Sequence, residues 1–523
     1  MGNKTQDSKR LTKMIVIIIA IIIIAFIGKT YYVPKTKKKL LKATGSDSKY
    51  KYEITIATDS FPGYAVLRSD EMKKNLASSG ILLKFVDDGG NYNERLNKLK
   101  KRSVDLAVFT IDANIKASTK LGEFPGSMIM IIDESNGADA IVAYKNALPD
   151  MKSLNSPDVK LCFTPDSPSE TLARIPVAHF TLPKLSKKWW KHGDGAQKIY
   201  ALLKKTSSTE KTAFVIWEPY VLKALENPAV HILFDSSRTR GYIVDVLMAN
   251  RKFLTEKPEL ISKIVSAYFS SLYYYTHKNA GMTELVMKDA AGCGEPLTKS
   301  QAKTIVKKIR WKNTLENYAH FGILNNTLGL QHIEDMIRNI TDVLIKTNAL
   351  QEDPVDGNYS SLFYDSILKE LHNKDFHPGK LNNQFGLQHS DTEKISNDLD
   401  LEKLDESQWN KLSIVGELKI EPIYFGRGNA RISKQSEYEM KNLVMVLNSF
   451  PHYYLRLYGN TRKVGDPEAN KKLAKDRANS TMDYLINKGI NKNRIRASQK
   501  KTNSSLKGAS AQSVIFQFLQ KSY

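Results

Sequence analysis

Cysteine is almost absent from this chain. Its 523 residues include only Cys162 and Cys293, too few and too far apart for a disulfide framework or a metal site, and both are expected as plain buried thiols. A Walker-type phosphate loop, an HExxH run and any zinc-ligand spacing are missing too. His179 and His192 have no evident Ser or Cys partner. No catalytic set, cofactor or metal is therefore expected, and a binding role outweighs an enzymatic one. Acidic residues are in deficit: 55 Asp and Glu against 78 Lys and Arg leave a net charge of +23, spread along the whole length. Nucleic acid is the first partner such a balance suggests, but no aromatic RNA-binding stripe or isolated basic helix accompanies it, and none is expected. An anionic envelope surface accounts for the charge as well.

Ionisable residues are also lacking from 14–27, MIVIIIAIIIIAFI. That run is short for a membrane span, which needs roughly 20 residues. Extending it to Val33, with Tyr31 and Tyr32 at the interface and Lys29 snorkelling, supplies the length. Small residues are scarce near Ile27, which disfavours a cleaved signal peptide, and no Cys follows for lipoprotein processing. The expectation is a retained single-pass anchor at 14–33 behind a cytoplasmic tail, 1–13. Lys4, Lys9, Arg10 and Lys13 precede the span, while Lys29, Lys35, Lys37, Lys38, Lys39 and Lys42 follow it. Read literally, the positive-inside rule would leave the bulk of the chain in the cytoplasm. The family resemblances described below override that count and place it in the periplasm, anchored to the inner membrane.

The length allows roughly two to four domains. Residues 34–50 form a basic linker. From 51 to 277, short apolar runs such as YEITIAT, VDLAVF and AFVIW alternate with helical patterns, which argues an α/β fold with mostly parallel sheets. The stretch 278–372 has apolar residues at helical spacing and is expected as a helical extension. A polar linker, 373–413, leads to an α+β unit at 414–523.

Several segments of the α/β region end strands in polar loops. YEITIATDSFPGY (52–64) puts Asp59, Ser60 and Tyr64 where open α/β sheets keep their ligands. DESNGADAIVAY (133–144) adds Ser135 and Asp139. Ser167-Pro168-Ser169-Glu170 has the spacing of a capping box with Pro at the first helical position. FVIWEPYVLKAL (214–225) supplies Trp217 and Glu218, an indole and a carboxylate suited to a flat or cationic ligand. In LFDSSRTRGYIVDVLMANRKFL (233–254), Asp245 is a charge inside an apolar run and needs a partner. Turn chemistry, helix capping and core packing explain each of these residues equally well when taken singly. Together the four segments resemble the extracytoplasmic substrate-binding proteins of ABC transporters, of the sulfonate/nitrate/taurine and thiamine-precursor type. That resemblance implies two lobes holding a small-molecule solute in a cleft, with chain crossings near 143–148 and 243–249. Asp59, Asp139, Glu218 and Asp245 would make the cleft acidic. A neutral or amine-bearing ligand then fits better than a sulfate-like or nitrate one, unless Arg68, Arg238 or Arg240 reaches inward.

Near the end stands GNTRKVGDPEANKKLAKDRA, 459–478. Gly459, Thr461, Gly465, Asn470, Leu473, Arg477 and Ala478 match the pattern of the OmpA-like peptidoglycan-binding domain, and the flanking segments follow its β-α-β-α-β order. The resemblance implies a site for diaminopimelate, an Asp meeting the ammonium and an Arg the carboxylate. Arg477 fills the second role, with Asn470 in the motif, but Arg462 stands where the family has Asp. Asn460 replaces the family His, and Ala511 to Val514 replace a late N-R-R-V stretch. The resemblance thus holds for the scaffold and departs at the ligand-binding groups. Such fusions also resemble the peptidoglycan-binding subunits of ion-driven motors. Those carry an Asp in the span, which 14–27 lacks. Two functions remain open: a membrane-anchored solute receptor serving a permease, or a structural tether or channel-associated subunit that takes no solute.

Overall fold

A computed structural model describes residues 50–277, 281–324, 330–378, 401–421, 423–461, 465–498 and 513–521. The expected anchor at 14–33, most of the linker that follows it, Arg462, Ala511 and Gln512 lie outside the described residues. Among the described residues no helix is long and apolar enough to cross a membrane.

The chain begins with β1 (Tyr52–Thr58), β2 (Ile81–Asp87), β3 (Leu106–Thr110) and β4 (Gly126–Ser135). It then crosses at 136–138 into β5 (Asp139–Tyr144), β6 (Lys160–Phe163), β7 (Trp190–His192), β8 (Thr212–Trp217) and β9 (Val230–Asp235). A second crossing, 236–243, returns it to β10 (Val244–Asn250), and β11 (Ile309–Trp311) follows much later. Two sheets result, with orders β11-β4-β10-β3-β1-β2 and β7-β6-β8-β5-β9. The two-lobed arrangement expected from the sequence is present, but the crossings fall at 136–138 and 236–243, not near 143–148 and 243–249. DAIVAY was expected at the end of lobe one. Instead it pairs with β8 and β9, so the whole of β5 belongs to lobe two.

The sheets are also mixed and not mostly parallel. β1 pairs parallel with β2 and β3, and β6 with β7 and β8, whereas β5 and β10, the strands that follow the crossings, run antiparallel to both neighbours. Alternating helices and strands do not encode this reversal, because a strand that arrives from the other lobe enters from the opposite end.

The stretch expected as a helical extension does more than add helices. Its β11 is the edge strand beside β4, with Ile309, Arg310 and Trp311 opposite Ser135, Glu134 and Asp133. Its amphipathic helix Ile333–Lys346 buries Ile333, Met336, Ile337, Ile340 and Leu344, the i, i+3, i+4 stripe read from sequence.

The terminal module comprises β12 (Ser413–Glu417), β13 (Tyr454–Gly459), β14 (Ile495–Ser498) and β15 (Val514–Gln520), in the order β12-β15-β13-β14, with helices Lys434–Ser449 and Pro467–Asn487. The strand β14 was not expected. Gly459 is required here: a Cβ would stand 1.8 Å from the Ala474 carbonyl oxygen, so helix and strand could not pack this closely with any other residue. The end of the expected linker is also structured. Leu404, Trp409 and Leu412 are buried with Tyr454 and Leu519 on the outer face of this sheet.

The terminal module packs on lobe two and on the second crossing. Thr181 N–H donates to Glu417 O at 2.9 Å, Lys419 N–H to His179 O at 2.7 Å, and Arg240 N–H to Ser449 O at 2.9 Å. Phe450 sits among His179, Tyr242, Tyr453 and Phe518, with ring centroids 5.0–6.1 Å apart.

Candidate functional site

Between the lobes lies a cavity of about 400 Å³, within the size range of small-molecule sites. Most of its wall comes from the carboxyl ends of strands. The loop after β1 brings Asp59, Ser60, Phe61 and Tyr64, the loop after β2 brings Gly89 to Asn93, and β3 ends on Thr110. From lobe two come residues 164–168 after β6, 193–195 after β7 and Trp217 at the end of β8. Asp139 and Asp245 begin the two strands that follow the crossings. Strand ends leave backbone and loop groups facing outward, and two sheets facing each other across a crossing focus them on one space.

Seven of the nine sequence candidates meet here: Asp59, Ser60, Tyr64, Asp139, Ser167, Trp217 and Asp245. Ser135 and Glu218 do not line this cavity. Ser135 is buried behind Asp139, donating its hydroxyl to Asp139 Oδ2 at 2.6 Å and lying 2.7 Å from Ser236 Oγ. Glu218 lines an adjoining hollow that shares Trp217 with the cavity, and is paired with Lys308 Nζ at 2.5 Å and accepts the Leu222 N–H.

The capping box expected at Ser167 is not formed. The Ser167 hydroxyl donates to Thr164 O at 2.7 Å, and Glu170 turns to the Asp166 N–H, Lys116 and Arg174. A cationic neighbour in lobe one outcompetes the reciprocal cap.

The loop 87–93, DDGGNYN, was missed. Its signal was available: a strand followed by two glycines, both at positive φ, +64° and +80°. Arg95 ties this loop to the first one. Fully buried, its guanidinium pairs with Asp88 at 2.6 Å and with Asp59 at 2.9 Å.

None of Arg68, Arg238 and Arg240 lines the cavity. Arg68 is held by Asp289 and donates to the carbonyls of Asp59 and Phe61, bracing the first loop from behind. Asp245 finds the partner its position demanded, accepting from Tyr64 Oη at 2.5 Å. Directly across the sheet from it stands Asp133, fully buried. Burial pushes both well above the usual carboxylate range, with the charge of Asp133 adding to it at Asp245 and that of Asp139 at both. Burial likewise pushes the Asp139 carboxyl up to about 7, with Asp112 and Glu218 adding to it. No cluster of metal-ligating side chains occurs among the described residues.

The lobes are joined on one side of the cleft. Helix Ile111–Leu121 of lobe one presents Asp112, Lys116 and Lys120 to the start of helix Pro168–His179 in lobe two. Lys116 bridges Asp166, at 3.0 Å, and Glu170; Lys120 also pairs with Asp166, and Thr171 Oγ1 donates to Asp112 at 2.5 Å.

In the terminal module, Arg477 is 1% exposed. Its guanidinium donates to the carbonyls of Gly426, Asn429 and Asn460 at 2.9–3.1 Å. Asn470 is half-buried near the start of the same helix. Arg462, the third expected wall-binding residue, lies outside the described residues.

Residues 424–513 match the model of the OmpA family. No curated protein matches the chain by sequence. Among solved structures, the periplasmic aliphatic sulphonate binding protein of Escherichia coli is 14% identical, over 60% of this chain and 92% of that one, with a TM-score of 0.45. The alkanesulfonate-binding protein from Xanthomonas axonopodis pv. citri, bound to MOPS, is 10% identical over 60% and 99%, with a TM-score of 0.46. The periplasmic nitrate-binding protein of Synechocystis PCC 6803 is 12% identical over 61% and 98%, with a TM-score of 0.39.

Proposed function

We propose that this chain is an extracytoplasmic solute-binding protein, held at the inner membrane through residues 14–33, with its OmpA-like domain on the envelope side. One observation carries the binding role: a cavity of about 400 Å³ between two lobes, walled by strand-end loops of both. A cleft of that kind closes on its ligand by movement about the crossings. A permease or channel subunit of the same membrane would receive the solute or the signal. The test is native mass spectrometry of the full-length chain released gently from detergent, with Trp217 fluorescence as a second readout. A retained small molecule, lost when Trp217 is replaced by Ala, supports the reading. A cleft that is empty as isolated and insensitive to every solute tried removes it.

Contact of the terminal module with peptidoglycan is opposed by two residues. Arg477 is committed to three backbone carbonyls, and Arg462 would repel the ammonium that the family's Asp attracts. Cosedimentation with isolated peptidoglycan should therefore be weak for the wild type and rise at least about tenfold in Arg462→Asp, the equivalent of one charge-assisted hydrogen bond. Tight binding by the wild type would show that the wall site works without that Asp. The packing of this domain on the second crossing favours a second role, as a structural brace of the receptor.

A further inference from the structure

The chain carries a net charge of +23, yet among the described residues no Lys, Arg or His lines the interlobe cavity, while five Asp do: Asp59, Asp139, Asp166, Asp194 and Asp245. Their surroundings divide them. Asp59 is neutralised by Arg95, Asp166 by Lys116 and Lys120, and Asp194 pairs with Lys198 at the rim. Asp139 and Asp245 have only hydroxyl partners, Ser135 and Tyr64, and behind Asp245 stands Asp133, neither of whose carboxyl oxygens accepts a hydrogen bond from a neighbouring donor. Buried carboxyls are ordinarily paired with a cation or hydrogen-bonded in full. Here the missing partner would have to come from the cavity side. Aromatic rings stand on the same walls: Phe61, Tyr64 and Tyr92 from lobe one, Trp217 from lobe two. Rings and carboxylates converging on one space suit a cation with an apolar body, because the quadrupole of the rings and the charge of the carboxylates act in the same sense. A further buried group lines the cavity: the Thr110 hydroxyl, 1% exposed and without a hydrogen bond of good geometry.

Resting on the solute-binding reading above, we propose that the cleft takes an organic cation, its ammonium seated between Asp139 and Asp245 and its apolar part against Trp217 and Phe61. Binding is an exchange: the carboxyls release protons as the ammonium arrives, and the ligand keeps its charge. An anionic solute of the sulfonate kind would meet the same carboxylates with no cation in the wall to offset them.

A size-matched series on the full-length chain tests this: benzylamine, benzyl alcohol and benzenesulfonate, with choline and spermidine as further amines. Affinity is read by calorimetry and Trp217 fluorescence from pH 5 to 8. The expected result is binding of at least one amine, at least about tenfold tighter than the alcohol or the sulfonate. That affinity should rise with pH as the carboxyls ionise, and fall by about tenfold or more in Asp139→Asn and Asp245→Asn. Both substitutions keep the side-chain shape, and a melting curve for each confirms folding. If either fails to fold, the pH dependence of the wild type decides. Tighter binding of the sulfonate or the alcohol, or affinity that falls as pH rises, overturns the cation while leaving the receptor intact. Binding by none of the probes at millimolar concentration overturns the receptor reading as well.

Discussion

At the scale of single residues, the charge state of the cleft is set by burial. Asp139 is 3% exposed and loses its proton only near pH 7, with Asp112 and Glu218 as its acidic neighbours and the Ser135 hydroxyl as donor. Unfolded, the same carboxyl would titrate near ~3.9. Its folded value is the higher, so the stability it contributes is full below about pH 4 and is lost as pH rises through about 7. Asp139→Asn cannot acquire the charge. In the unliganded protein this variant should match the wild type near pH 4 and exceed it at pH 8 by about 4 kcal/mol at most. Urea denaturation at the two pH values checks this, and a variant that is no more stable at pH 8 would mean that the buried charge is compensated. Arg477 illustrates the opposite case. Its place in the OmpA-like motif is plain from sequence, but the three carbonyls that occupy its donors come from loops up to 51 positions away.

At the scale of elements, the helix Pro168–His179 links the cleft to the terminal module. Its first turn faces the cleft through Ser167 and Pro168, and its far end supplies His179 to the contact with Tyr242 and Phe450. Near the cleft it is latched to lobe one by Lys116, 6% exposed, which bridges Asp166 and Glu170. Removing one partner of a buried ion pair leaves the others uncompensated. Lys116→Met should therefore cost about 3 kcal/mol in chemical denaturation and widen the cleft as seen by small-angle scattering. A variant with wild-type stability and dimensions would show that Lys120 and the Thr171–Asp112 hydrogen bond hold the latch alone. Elements of this kind were legible to different degrees. Most strands and helices of lobe one, and those of the OmpA-like module except β14, follow from period and turn chemistry, and strand-end loops, a helix cap and one charge in an apolar run identified seven lining residues. The antiparallel entry of β5 and β10 was not legible, because local pattern carries no direction. Nor was β11, whose three residues pair only through a contact with β4 some 175 positions earlier. The latch was hidden for the same reason: Lys116 and Glu170 look like ordinary charges on two helices until the lobes meet.

At the scale of the whole molecule, the OmpA-like module is packed against the two-lobed module and not tethered at a distance from it. One apolar core runs from lobe one through Phe180 and Tyr242 to Phe450 and Phe518. Backbone hydrogen bonds join the two modules at Thr181, Lys419 and Arg240. Arg240 and Tyr242 belong to the second crossing, so the module presses on the segment about which the lobes would move. Domains joined by small polar contacts unfold separately, whereas a shared apolar core couples them. Phe450, fully buried, is the centre of the aromatic cluster. Truncating such a ring costs about 3–5 kcal/mol. Phe450→Ala should accordingly split a single calorimetric transition of the full-length chain into two, the OmpA-like module melting first. Two transitions already present in the wild type would mean that the shared core does not couple the modules. One transition that merely shifts down in the variant would mean that the backbone bonds at Thr181, Lys419 and Arg240 suffice to keep the two modules a single cooperative unit.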